Sequence, residues 1–177
     1  MLPELHQFRR QNQKIQTRII NYDLDYLFQR GLDMYVYLPT IDKFLQRPFV
    51  WTLEQQKELI KSYFLGRPIP SITIINLENK TNGCTYQVID GKQRLLSINS
   101  FVSGLFAIEL NGVEYYYNDL PEYWKKSIKG LHDIQFVEAV EEFGGNGKFT
   151  DQDKIDWFKF INCYGTPQDM EHINSLK

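Results

Sequence analysis

The stretch Val88-Ile89-Asp90-Gly91-Lys92-Gln93-Arg94-Leu95-Leu96-Ser97-Ile98-Asn99 (VIDGKQRLLSIN) sets an apolar run against an amphipathic one, with a single glycine between them. Tyr86 to Ile89 reads as a strand. Beyond the glycine, Leu95, Ile98, Phe101, Val102 and Leu105 recur at the 3.6-residue helical period. The junction therefore predicts a strand that turns at Asp90-Gly91 and continues as a helix. Asp90, Lys92 and Arg94 crowd their charges at that turn.

A helix start leaves backbone N–H groups unpaired and carries partial positive charge, which suits phosphate. Gly91 lets an anion approach the backbone, and Arg94 and Lys92 add full charges, arginine as a two-pronged fork. Asp90 beside phosphate is repulsive unless it caps the helix, pairs with Arg94, or holds a divalent metal against the phosphates. Capping is the least demanding of the three. The same residues also fit a turn in which Asp90 caps, Arg94 pairs with an acid and nothing binds. Local pattern leaves both readings open. Arg47, between Gln46 and Pro48 and just before an aromatic cluster, has the same ambiguity: it reaches a ligand, or covers apolar surface with its stem.

Outward from the turn, Thr52 with Gln55 is a capping-box signature for a helix starting at Leu53, with Leu59, Ile60, Tyr63 and Phe64 as its buried stripe. Gly66 ends it, and Pro68 and Pro70 prevent its resumption. Ile72 to Leu77 is rich enough in β-branched residues for a strand. Asn82-Gly83 turns the chain into the Tyr86–Ile89 strand, and Asn111-Gly112 predicts a second hairpin between Phe106–Leu110 and Val113–Tyr117. Leu24, Leu27 and Phe28 give a helix stopped by Gly31, and Met34–Leu38 reads as extended. Pro121 to Gly130 reads as a helix, Ile134 to Val140 as a strand, and Glu141 to Lys148 as a glycine-rich loop. Two helices follow, from Asp151 to about Tyr164 behind Thr150, and from Pro167 to Leu176 behind Thr166. Trp157, Phe158 and Ile161 are expected in the core. These elements define an α/β (α+β) fold with a small mixed sheet, a strand-to-helix turn and C-terminal helices. Residues 22–177 form the domain, and residues 1–21, with Arg9, Arg10, Lys14 and Arg18 against Glu4, form a basic N-terminal arm.

The chain has 177 residues, 42% of them hydrophobic and 15% aromatic, enough for a substantial core. Twenty Lys and Arg face 22 Asp and Glu, for a net charge of −2, so attraction for nucleic acid must come from a local patch. The two cysteines, Cys84 and Cys163, have no metal spacing, and no secretory signal is read at the N-terminus. The expectation is reduced thiols and a cytoplasmic location. No apolar run approaches the roughly 20 residues that span a bilayer, so no membrane partner is expected. His6, His132 and His172 stand alone, and none is assigned a catalytic role.

Phe44-Leu45-Gln46-Arg47-Pro48-Phe49-Val50-Trp51, followed about forty residues later by the Asp90-Gly91-Lys92-Gln93-Arg94-Leu95 turn, resembles the paired signature of the GmrSD-type N-terminal domain family. That family lies within the ParB/sulfiredoxin-like superfamily, and its usual motifs run F-Q-R-P-Y-V-W and D-G-Q-Q-R-L. The resemblance extends from about Tyr22 to the end. It includes Trp157-Phe158-Lys159-Phe160-Ile161-Asn162 and Gly165-Thr166 with Glu171, similar to the family's F-x-x-I-N-x-x-G stretch.

The resemblance implies a compact α/β domain whose turn binds nucleotide phosphates, with NTP binding or hydrolysis in restriction of modified phage DNA. Residue by residue it points to Asp90, Gly91, Gln93 and Arg94, with Gln46 and Arg47 from the first motif; Asp90 and Arg94 are expected as the catalytic pair, with Asp90 as the carboxylate for Mg²⁺. Gln46, Arg47, Gly91, Lys92, Gln93 and Arg94 are the binding set. By their chemistry alone, Asp90 and Glu171 are the candidate bases. Lys92 departs from the usual Gln. Sulfiredoxins carry a catalytic Cys in this turn, and this chain has none there, which argues against sulfinic-acid reduction. Larger members add a helical region and an HNH-type nuclease; neither is in this sequence, so autonomous cleavage is not expected.

Three functions are expected to compete. The first is a nucleotide-binding domain or NTPase of a restriction, anti-restriction or other DNA-processing system. The second is a DNA-binding or nicking module that uses the basic arm. The third is a protein-interaction module or regulatory subunit that uses Tyr115, Tyr116, Tyr117 and the last helix.

Overall fold

The computed structural model describes residues 4, 5, 7, 15–141 and 148–163. In chain order the elements are β1 (Thr17–Ile20), α1 (Leu24–Arg30), β2 (Leu32–Asp33), β3 (Tyr37–Leu38), β4 (Lys43–Phe44), α2 (Leu53–Phe64), β5 (Ile72–Thr81) and β6 (Cys84–Asp90). They continue with α3 (Lys92–Val102), β7 (Ile108–Leu110), β8 (Val113–Tyr115), a 3-10 turn (Tyr117–Asp119), α4 (Glu122–Lys129), β9 (Phe136–Val140) and α5 (Asp151–Cys163).

Local chemistry explains most boundaries. Asp23 accepts a bond from the Tyr26 N–H and starts α1, and Thr52 and Gln55 form the reciprocal capping box that starts α2. Asn82 and Gly83 both take positive φ, 52° and 79°, the mirror-image geometry that matches strand twist in a two-residue hairpin. Asn111 and Gly112 repeat it between β7 and β8.

The main sheet is five-stranded, in the order β1-β9-β5-β6-β2. β9 runs parallel to β5 and β2 parallel to β6, while β1/β9 and β5/β6 are antiparallel. Alternate residues therefore enter different layers. Ile72, Ile74, Tyr86, Val88 and Phe136 join Leu59, Ile60, Leu95, Ile98 and Phe101 from α2 and α3 in the larger core. Ile75, Leu77, Ile89 and Ala139 meet Trp157 of α5 on the other face. This is an α+β domain, as the sequence leads one to expect.

One polar cluster sits within the larger core. Glu138 of β9 is fully buried and accepts bonds from Tyr22 Oη, Arg18 Nε and Asn76 Nδ2, the last at 2.9 Å. Three donors meet the requirement that a buried carboxylate be paired and hydrogen-bonded. The Tyr22 ring stands edge-on to Tyr86 and Phe136 at 5.4 and 5.3 Å. Burial raises the pKa of the Tyr22 hydroxyl, and that of Tyr86 is pushed up to about 12.

The structure moves two expectations. Thr17–Ile20, assigned to the basic arm, is the edge strand of the sheet, and Arg18 lies against Glu138 instead of joining a cationic surface. The cause is long-range: only pairing with β9, some 120 residues away, reveals the strand. Ile161, expected in the core, is 36% exposed, because α5 buries only the stripe that contains Trp157. Tyr117 is buried and donates to the Lys125 carbonyl at 3.1 Å, whereas Tyr116 is exposed. The Pro167–Leu176 helix, Glu171 and nearly all of residues 1–14 lie outside the described residues, as does most of the glycine-rich loop. Among the described residues no helix is long and apolar enough to cross a membrane.

Candidate functional site

Strand β6 ends at Asp90 and α3 begins at Lys92, with Gly91 between them at φ 102°. A side chain at this position is doubly disfavoured. The backbone is left-handed, and a Cβ would come within 2.8 Å of Ile72 and 3.2 Å of Arg94 Nη2. The first helical bond runs from the Leu95 N–H to the Gly91 carbonyl at 3.0 Å. The N–H groups of Lys92, Gln93 and Arg94 thus have no acceptor within the helix, and no side chain caps them.

Asp90 is not the cap. It belongs to the strand, one position before the helix entry, and its Oδ2 accepts from Arg94 Nη2 at 2.8 Å. The same nitrogen donates to the Ser71 carbonyl at 3.0 Å, and the Arg94 Nε is buried without an acceptor. Pairing therefore accounts for Asp90 and leaves the helix start open.

Lys92 also departs from expectation. Its side chain is only 1% exposed. The ammonium donates to the Arg47 carbonyl and lies 4.6 Å from the centre of the Tyr35 ring. Burial lowers its pKa. The charge is thus turned into the protein, and Lys92 contributes its backbone N–H and a fastening for the Arg47 segment.

Gln93 and Gln46 are fasteners of the same kind. Gln93 Oε1 accepts from the Val50 and Trp51 N–H groups at 3.0 and 3.2 Å, and its Nε2 donates to the Pro48 carbonyl at 3.0 Å. Gln46 Nε2 donates to the Val88 carbonyl at 2.7 Å. These four bonds, with that of Lys92, clamp the 46–51 segment onto the strand-to-helix turn. Arg47 is left exposed, with no side-chain bond to another described residue.

The two segments face each other across an open cleft of about 490 Å³. Gln46, Arg47, Asp90, Gly91, Lys92, Gln93 and Arg94 all line it, so every residue expected at the site within the described chain is brought together there. Trp51, Leu45, Phe158 and Asn162 complete the wall and are absent from the expected set. Phe158 and Asn162 lie in the Phe158-x-x-Ile161-Asn162 stretch, whose spacing of four puts them on one face of α5. That spacing was the available signal. No three His, Cys, Asp or Glu side chains gather as a metal cluster among the described residues.

What emerges is an α+β domain in which two separated motifs are locked together around one cleft at an uncapped helix start. The chain belongs to the GmrSD restriction endonuclease N-terminal domain family, whose family model matches residues 9–175. This membership associates it with restriction and phage defence. No curated protein and no solved structure matches the chain.

Proposed function

We propose that this domain binds a nucleoside triphosphate in the Arg47–Arg94 cleft, as the nucleotide-responsive part of a restriction system. One observation carries the reading: a helix N-terminus without a side-chain cap and the Arg47 guanidinium, which makes no side-chain bond to another described residue, face the same open cleft. Its volume, about 490 Å³, lies within the roughly 300–1,000 Å³ typical of small-molecule sites. Phosphate oxygens accept from the N–H groups of residues 92–94, and Arg47 closes on them from the opposite wall. Trp51 and Phe158 supply flat apolar surface for the rest of the ligand.

Among the described residues, Asp90 is the single carboxylate lining the cleft. One carboxylate together with substrate phosphates is a donor set that suits Mg²⁺, which keeps much of its water shell. With Oδ2 engaged by Arg94, Asp90 is held in place as a positioned anion. Arg94 is correspondingly placed to stabilise negative charge during phosphate hydrolysis. Isothermal titration with ATP, GTP, CTP and UTP, with and without Mg²⁺, tests the reading. Saturable binding by at least one NTP is expected, weakened about tenfold or more by Arg47→Ala. Absence of binding by all four rejects it.

A further inference from the structure

A second pocket, of about 400 Å³, opens on the α5 side of β6, where the β2–β4 segment and the first turn of α5 meet. One buried polar atom on its wall is unsatisfied, and the wall also carries a lysine. Gln87 is 4% exposed; its Nε2 donates to Asp33 Oδ2 at 3.2 Å, and its Oε1 is buried with no donor. Lys154 is 9% exposed and has no ion-pair partner among the described residues. Buried polar atoms in folded proteins are almost always paired, so the Gln87 oxygen calls for a ligand that brings an N–H, while the Lys154 ammonium, a donor on the same wall, suits an acceptor oxygen or nitrogen. Tyr37 and Phe44 lie on the same wall, their rings 5.5 Å apart and inclined at 65°, 43% and 60% exposed respectively.

The chemistry narrows the ligand. A simple anion would satisfy Lys154 but would meet the Gln87 oxygen and the carboxylates of Asp33 and Asp151, which share the pocket. An apolar molecule would leave the Gln87 oxygen unpaired. A flat heterocycle with donor and acceptor groups on one edge satisfies both Gln87 and Lys154, and its faces stack on the exposed rings. We propose that this pocket binds an unpaired nucleobase, held at its hydrogen-bonding edge by Gln87 and Lys154 and stacked against Tyr37 and Phe44. The site is separate from the triphosphate cleft and does not depend on it. The base comes either from a free nucleoside or from a nucleotide swung out of a duplex.

Two probes distinguish these sources: the four ribonucleosides, which carry no phosphate, and a DNA duplex with 2-aminopurine opposite an abasic site. Nucleoside binding is followed by titration calorimetry and the duplex by 2-aminopurine fluorescence. Binding of at least one probe is expected, reduced about tenfold or more by Tyr37→Ala and by Lys154→Met, and retained in Arg47→Ala. Because Tyr37 is substantially exposed, its variant tests the contact without depending on repacking of the core. Binding of the duplex alone supports the site and assigns it to nucleic acid; binding of nucleosides supports it for the free base. No binding of either probe, binding indifferent to both pocket variants, or loss in Arg47→Ala would overturn the proposal. A failure of NTP binding would leave these outcomes unchanged.

Discussion

Arg94 holds its Nη2 2.8 Å from Asp90 Oδ2 and 3.0 Å from the Ser71 carbonyl oxygen, so one guanidinium ties the end of β6 to the approach to β5. The pair is partly buried, with side-chain exposures of 15% and 22%. Arg94→Ala removes both bonds and leaves Asp90 and the Ser71 carbonyl short of partners. A loss of about 1–3 kcal/mol in unfolding free energy is expected in urea titration. Arg94→Lys retains the charge but not the planar fork and should recover only part of it. Wild-type stability in Arg94→Ala would show that this tie contributes nothing.

Arg47 should behave differently, because its side chain is exposed and makes no bond to another described residue. Arg47→Ala is expected to melt within experimental error of the wild type while losing most of its NTP affinity. A large drop in melting temperature would instead assign Arg47 to the fold.

Gly91 joins both functions at one position. Gly91→Ala places a Cβ against Ile72 in a left-handed backbone, a combination expected to cost about 1–3 kcal/mol or more. The same change crowds the helix start, so NTP affinity should fall with stability. Retention of both would contradict the described turn.

Lys92→Gln restores the residue usual at this position in the motif the sequence resembles. The Lys92 ammonium faces inward, so NTP affinity is expected to change by less than about threefold, a difference below 1 kcal/mol. Stability should respond more, because the Arg47 carbonyl loses its donor. An affinity loss as large as that of Arg47→Ala would show that Lys92 acts on the ligand.

The tyrosines predict alkaline instability. Burial raises the pKa values of Tyr22, Tyr63, Tyr86 and Tyr117 above the ordinary 10.0. In the unfolded chain they lose protons near that value, while the folded protein keeps them. The unfolded state then binds fewer protons, so stability falls as pH rises past about 10. Lys92 contributes with the opposite sign, since its folded pKa lies below 10.5 and its charged form is disfavoured by burial. Urea midpoints measured from pH 8 to 11 should fall at the upper end, and Tyr22→Phe should flatten that fall. A midpoint that rises throughout the range would refute the assignment.

Where neighbouring residues determine structure, the sequence was readable. The Thr52–Gln55 cap, both Asn-Gly turns and the Asp90–Lys92 passage from strand to helix follow from chemistry within four residues. What was hidden is long-range. The pairing of β1 with β9, and the burial of Glu138 among Arg18, Tyr22 and Asn76, join segments more than 60 residues apart. The candidate site was legible as residue types in two motifs. The roles of Lys92, Gln46 and Gln93 were not, because pattern shows which side chain is present and not which way it turns. Gln87 gives no signal at all, since its interest lies in an amide oxygen buried without a donor.

The cleft between Arg47 and the start of α3 is proposed to hold a triphosphate. The most direct measurement is calorimetric titration of the four NTPs, with Mg²⁺, into wild-type protein and the folded Arg47→Ala variant side by side. A one-site isotherm is expected for at least one nucleotide, with affinity at least about tenfold weaker in the variant. Equal affinity in the two proteins, or no heat of binding with any nucleotide, would contradict it.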